Sequence, residues 1–191
     1  LVRRVRGVDE HSGSRGEDRW IPLPYNGQGL SLPGIANAPN HIELLRVVRD
    51  TYLDASVMVR FWLPTLFGAA ASSLPEALGV LREWVQSGQT EKIVGAAHLV
   101  DSWEHSIVFS SHDFVADLLD AADKCGEECL QRVRSELFGT AISGVHSGTP
   151  GQPAPRYLGD KASAQALASQ YASRTVVRDF YDTLVRDAEG S

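Results

Sequence analysis

Three side chains of types that bind metals recur at helical spacing. His98, Asp101 and His105 would project from one side of a single helix. Imidazole nitrogens and carboxylate oxygens are ligands that zinc and iron accept. A complete site would need a further ligand from a facing helix, and the available donors are His41, Glu43 and His112. The alternative is the solvent-facing polar side of an amphipathic helix. We predict this alternative, with no catalytic residue, no bound metal and no cofactor.

Tryptophans offer a second kind of site. Trp62, Trp84 and Trp103 fall on three successive predicted helices and could line a groove for an aromatic group, a base or a peptide. The alternative is core packing, because Trp103 belongs to an apolar stripe and Trp84 lies near the end of its helix. The binding candidates are therefore His98, Asp101, His105, Trp62 and Trp84.

The two cysteines of the chain, Cys125 and Cys129, are too few for a disulfide framework. They flank Gly126, where we expect a helix to break, and no second cysteine pair or nearby histidine completes a zinc motif. We predict structural thiols in a reducing cytoplasm.

Composition indicates a globular protein. The 191 residues are 43% hydrophobic and 22% charged, which is ordinary for one well-cored domain. The net charge of −6 opposes non-specific binding to nucleic acid. No apolar run reaches the roughly 18 residues of a membrane span, and no P-loop, zinc-protease motif or nucleophile elbow is present. We predict a cytoplasmic protein that binds neither nucleic acid nor membrane, and because the chain begins with Leu1, we expect a fragment of a larger protein.

Helical periodicity divides the chain into four parts. Residues 1–38 form an extended, Gly- and Pro-rich tail, in which we expect residues 20–35 to lie as a strap across helices, anchored by Trp20 and Tyr25. Residues 39–143 are the helical core, residues 144–159 a Gly- and Pro-rich connection, and residues 160–191 a C-terminal helix pair.

Within the core, residues 40–71 predict one long helix or a pair divided near Asp54. The other helices are predicted over Leu74–Gln86, Thr90–Ile107, His112–Cys125, Glu127–Ile142, Lys161–Ser173 and Thr175–Ala188.

The core contains an internal repeat. The segment from Ser73 to Gly88 recurs 38 residues later as Ser111 to Gly126. Each copy begins with a serine suited to an N-cap and ends with a glycine suited to a helix C-terminus. The pattern resembles a HEAT-type array over roughly residues 40 to 142. It implies an all-α stack of about three helix pairs, with the N-terminal strap and a C-terminal helical cap added.

The C-terminal part of the chain, with its proline-rich run at 150–155 and the helix around 179–186, resembles C-terminal helical regions of large bacterial multidomain proteins, some with NTPase modules. These resemblances imply binding and not catalysis. We predict a non-catalytic interaction, sensing or regulatory module that binds a protein or peptide on the concave face built by the second helices. The alternatives are a metal-binding helical-bundle enzyme using His98, Asp101 and His105, and an all-α small-molecule domain shielded by the strap. An open-ended stack would also allow a homodimer.

Overall fold

A computed structural model describes residues 41–71, 73–100, 107–142 and 161–190. Every regular element in these ranges is a helix, which confirms the predicted all-α class. Several predictions lie outside the described residues: the strap, the 144–159 connection, Asp101, Trp103 and His105.

The helices of the described ranges begin and end as follows: α1 His41–Asp54, α2 Val57–Ala70, α3 Leu74–Val85, α4 Thr90–Leu99, α5 Ile107–Ser110, α6 His112–Cys125, α7 Glu127–Ile142, α8 Lys161–Gln170 and α9 Thr175–Gly190. Of the two alternatives predicted for residues 40–71, the described part of that range shows a pair of helices divided at Asp54. The helix predicted from Thr90 is described as far as Leu99. α8 ends at Gln170, before the predicted Ser173, because the chain turns there, with the Arg174 amide donating to the Tyr171 carbonyl oxygen at 2.9 Å.

Six of these helices pack as two rows. α1, α3 and α6 are neighbours in one row, and α2, α4 and α7 are neighbours in the other. Across the rows α1 packs on α2, α3 on α4 and α6 on α7. The last two helices, α8 and α9, pack on each other, and α9 lies against α6.

Helix α4 occupies the centre of this arrangement and contacts α1, α2, α3, α6 and α7. It can do so because it carries small side chains where the neighbours approach: Gly95, Ala96 and Ala97 are all buried. At Gly95 the approach is closest. A Cβ atom there would lie 2.6 Å from Cζ3 of Trp84 and 2.8 Å from Cδ1 of Tyr52, which is nearer than carbon atoms pack.

A buried arginine joins α1 to α3. Arg49 Nη1 donates to the Val80 carbonyl oxygen at 2.8 Å and to Glu83 Oε2 at 2.7 Å. Its guanidinium carbon lies 5.2 Å from the centroid of the Trp84 ring, within cation–π range. Arg46 donates to the other oxygen of Glu83 at 2.8 Å, so two arginines of α1 hold one carboxylate of α3.

The close approach at Gly95 makes a substitution test. We expect Gly95→Ala to destabilise the protein by about 1–3 kcal/mol, because the added methyl group must displace two aromatic rings. Gly79→Ala is the matched control in α3, since a Cβ at Gly79 meets nothing within 4 Å. That change should stabilise the helix by about 0.5–1 kcal/mol. Urea unfolding followed by circular dichroism measures both, and equal midpoints for the two variants would contradict the packing described.

The Arg49–Glu83 contact generates a pH dependence. The hydrogen bond from Arg49, followed by the one from Arg46, lowers the pKa of Glu83 below its ordinary value. Stability from a carboxylate with a lowered folded pKa is present above its unfolded pKa and is lost as the pH falls through the folded value. We therefore expect Glu83→Gln to flatten the loss of stability between about pH 5 and pH 3. An unchanged slope in urea unfolding across that range would show that the contact contributes nothing.

Candidate interaction surface

His98 lies between helices and is partly exposed. Its Nε2 is 3.1 Å from the Arg60 carbonyl oxygen in α2, and its Nδ1 is 2.9 Å from Glu136 Oε2 in α7. Both partners are acceptors, so the ring makes both bonds only when both nitrogens carry hydrogen, as in the imidazolium form. The ring also lies 5.6 Å from that of Tyr52. The side chain therefore joins three helices of the core.

The donors that a metal site at His98 would require have other partners. His41 Nε2 donates to Glu76 Oε2 at 2.9 Å, and Glu43 accepts from Arg46. His112 lies beside Tyr171. Among the described residues, no group of three or more histidine, cysteine, aspartate or glutamate side chains is arranged to hold a metal ion.

The two described tryptophan candidates have different surroundings. Trp84 is 3% exposed and packs edge-on against Tyr52, with ring centroids 6.2 Å apart, so it belongs to the core. Trp62 is half-buried and stands edge-on to Phe61 at a centroid distance of 5.2 Å. Of these two, only Trp62 can contribute to a surface.

An apolar surface surrounds Trp62. Val57 is 86% exposed, Met58 62% and Phe61 68%, and Trp62 follows them on the same helix. At 100° per residue these four side chains span about 140° of α2. We call them the outer surface of α2. In the described ranges, the exposed large hydrophobic side chains are Val57, Met58 and Phe61 on α2 and Val47 on α1.

The opposite side of α2 is also apolar. Val59, Leu63, Phe67 and Ala70 are buried against the rest of the core. A helix that is apolar on all sides is typical of a position covered from all sides. The outer surface of α2 therefore has the composition of an interface.

No charge interrupts this surface. Arg60 is the single charged residue of α2, and its side chain turns back to the end of α1. Its Nε donates to the Tyr52 carbonyl oxygen at 3.0 Å and its Nη2 to the Leu53 carbonyl oxygen at 3.2 Å. The guanidinium thus satisfies carbonyl groups at a helix C-terminus, where a cation is favourable.

Of the four side chains on the outer surface of α2, the sequence predicts only Trp62 as a binding candidate, and not Val57, Met58 or Phe61. Their apolar character and helical spacing fit a buried stripe, and nothing in the spacing says which side is covered. The available signal was the near-absence of polar residues around the whole of α2.

A cleft of about 500 Å³ lies between the α3–α4 turn and α6, and it has mixed charge. Arg82 and Lys124 face Asp117 and Asp120 there. Cys125 also lines it, and its Sγ donates to the Gly88 carbonyl oxygen at 3.4 Å. Neighbouring Cys129 is buried, and burial raises the pKa of its thiol, which makes it a poor nucleophile. The two cationic and the two anionic side chains balance one another, so the charge of the cleft favours neither an anionic nor a cationic ligand.

A polar cluster joins α6 to the C-terminal pair. The Tyr171 hydroxyl donates to Asp113 Oδ1 at 2.7 Å and accepts from His112 Nδ1 at 2.7 Å, because a carboxylate can only accept. Burial, with the hydrogen bond to Asp113, raises the pKa of Tyr171 to about 12. A phenol with a raised pKa stays protonated near neutral pH, so it can donate the hydrogen bond to Asp113.

Comparison of the chain with models of known protein families, with curated proteins and with solved structures finds no match. Of the helices that the structure describes, none combines the length and the apolar composition needed to cross a membrane.

The bond between His98 and Glu136 can be measured by a double-mutant cycle. His98→Phe keeps the ring beside Tyr52 but removes both hydrogen bonds, and Glu136→Ala removes the carboxylate. We expect a coupling free energy of about 0.5–1 kcal/mol between the two changes, since both side chains are partly solvated. Urea unfolding of the four proteins supplies the value. Additive effects would mean that α4 and α7 are held without this bond.

Proposed function

We propose that this protein is a non-catalytic helical-repeat module that binds a protein partner through the outer surface of α2. The observation that carries the proposal is the uncharged, exposed apolar side of a helix whose other side is already buried. Contiguous exposed apolar side chains of this kind mark protein interaction sites.

The repeat interpretation is supported by the register of contacts between successive helix pairs. His98 lies 38 residues after Arg60 and 38 residues before Glu136, and it bonds to both. This is the same spacing that separates the two sequence repeats. Side chains at equivalent positions of neighbouring pairs would meet in this way in a stack of repeated units.

The partner follows from the chemistry of the surface. Phe61 and Trp62 are aromatic anchors, and Met58 is a flexible apolar side chain that adapts to different shapes. A charged partner segment would lose its hydration here without gaining an ion pair. The surface therefore selects an uncharged, apolar segment of a partner protein. In this arrangement α2, the second helix of its pair, supplies the contacts to the partner. His98 of α4 holds α2 and α7 in position through its hydrogen bonds to both helices.

A double substitution tests the proposal. We expect Met58→Asp with Phe61→Asp to weaken partner binding at least about tenfold, because both side chains would leave the interface and two charges would enter it. Both residues are exposed, so folding should be retained, as circular dichroism can verify. Ala172→Asp, in the exposed turn between α8 and α9, is the control for added charge.

The measurement has two stages. Proteins enriched by the wild-type chain and lost with the double variant are identified by quantitative mass spectrometry. Each is then purified and titrated calorimetrically into the wild type, the double variant and the control. Sedimentation velocity of the wild type, the double variant and the control measures whether the protein self-associates through this surface. Candidates that bind the double variant as tightly as the wild type would overturn the proposal.

A further inference from the structure

We propose that Cys125 and Cys129 are a peroxide-sensitive thiol pair, which closes a reversible disulfide between the end of α6 and the start of α7. The pair belongs to the cleft between the α3–α4 turn and α6 and not to the outer surface of α2, so it stands independently of the proposed function. Three observations support it: the proximity of the two thiols, their unequal exposure and the break in the helix between them.

The two thiols are joined by hydrogen bonds. Cys125 Sγ donates to the Gly88 carbonyl oxygen at 3.4 Å. The Cys129 side chain hydrogen-bonds to those of Cys125 and Thr90. The two sulfur atoms are therefore neighbours. A disulfide requires this, because its two Cβ atoms lie only about 3.8 Å apart.

Unequal access sets the order in which the two thiols react. Cys125 is half-buried and lines the cleft, whereas Cys129 is 1% exposed. Burial raises the pKa of the Cys129 thiol, so this thiol stays protonated at neutral pH and does not react first. An oxidant that enters the cleft thus meets Cys125. The balanced charge of the cleft suits a small uncharged oxidant, such as a hydroperoxide.

The helix breaks between the two cysteines. α6 ends at Cys125 and α7 begins at Glu127, with Gly126 between them at a φ of 109°. Glycine adopts such a φ without steric cost. The two thiols therefore do not share one continuous helix, whose repeating backbone hydrogen bonds would resist the approach of the sulfur atoms to a bond length of about 2.05 Å.

The reaction takes two steps. The Cys125 thiolate attacks one oxygen of hydrogen peroxide, the O–O bond breaks, and the leaving hydroxide takes a proton from solvent to become water. Cys125 is then a sulfenic acid. The Cys129 sulfur next attacks Cys125 Sγ, the S–S bond forms as the S–O bond breaks, and the hydroxyl group leaves with the Cys129 proton as a second water. The thiol pair thereby loses the two electrons that reduce the peroxide.

Closure removes one contact of the α3–α4 turn. In the reduced protein the Gly88 carbonyl oxygen accepts a hydrogen bond from Cys125. A disulfide sulfur carries no hydrogen to donate. The oxidised form therefore joins α6 to α7 covalently and gives up this bond between α6 and the turn.

Peroxide treatment of the full chain tests the proposal. The reduced protein is incubated with hydrogen peroxide, the remaining thiols are alkylated, and the chain is digested with trypsin. Cleavage after Lys124 and Arg132 places both cysteines on one peptide of residues 125–132. The single methionine of the chain, Met58, which peroxide also oxidises, falls on another peptide. We expect the 125–132 peptide to be unalkylated and lighter by two hydrogen atoms, and to carry two alkylated thiols again after treatment with dithiothreitol.

Two single substitutions test the order of the steps. Cys129→Ser should stop the reaction at the sulfenic acid of Cys125, which dimedone labels. Cys125→Ser leaves only the buried thiol, which should react with peroxide at least about tenfold more slowly than Cys125 does in the first variant. Circular dichroism verifies that both variants fold.

The outcomes that would overturn the proposal are distinct. One is a wild-type peptide that retains both thiols or stops at a sulfenic or sulfinic acid. Another is a disulfide between two chains, which joins two copies of the 125–132 peptide. The third is a Cys125→Ser variant that reacts as fast as Cys129→Ser, because the buried thiol would then need no help from Cys125.

Discussion

The packing of the core depends on the closeness with which α4 approaches its neighbours. Gly95 leaves the space that the rings of Tyr52 and Trp84 fill, and a Cβ atom at this position would overlap both. Ala96 and Ala97 keep the adjoining sides of the helix equally narrow. A helix of 10 residues is marginal in isolation, so its stability comes from the five helices around it. His98 can bond to both α2 and α7 because it extends from this central helix, which lies between them.

Polar contacts fix the positions of the helices relative to one another, which apolar packing alone determines less strictly. Arg49 joins α1 to α3, Arg132 of α7 pairs with Glu91 of α4 at 2.6 Å, and Arg174 pairs with Asp120 of α6 at 2.7 Å. Exposed pairs of this kind contribute at most about 1 kcal/mol each. Arg49 differs because it is buried, and removing one of its partners would leave a desolvated charge. Its several acceptors fix the spacing of α1 and α3 more strictly than apolar contacts alone would.

The helices were predictable from sequence because apolar periodicity and turn residues coincide. The bounds of α6 and α7 were predicted at His112–Cys125 and Glu127–Ile142, where Gly126 with a φ of 109° separates them. The candidate surface was not predictable to the same degree. Val57 and Phe61 continue an apolar pattern that is typical of burial, and a helix apolar on all sides does not reveal which side lacks a neighbour. His98 was interpreted as solvent-facing because its acceptors, Arg60 and Glu136, are distant in sequence and become neighbours only in the tertiary fold.

The two ends of the core differ in a way that bears on function. At the C-terminal end, α9 buries Val177, Tyr181 and Leu184 and presents charged side chains on its other side, so the apolar packing ends there. α2 presents apolar groups on both sides, so the packing could continue from it. An apolar surface that binds a partner also promotes aggregation when it is uncovered.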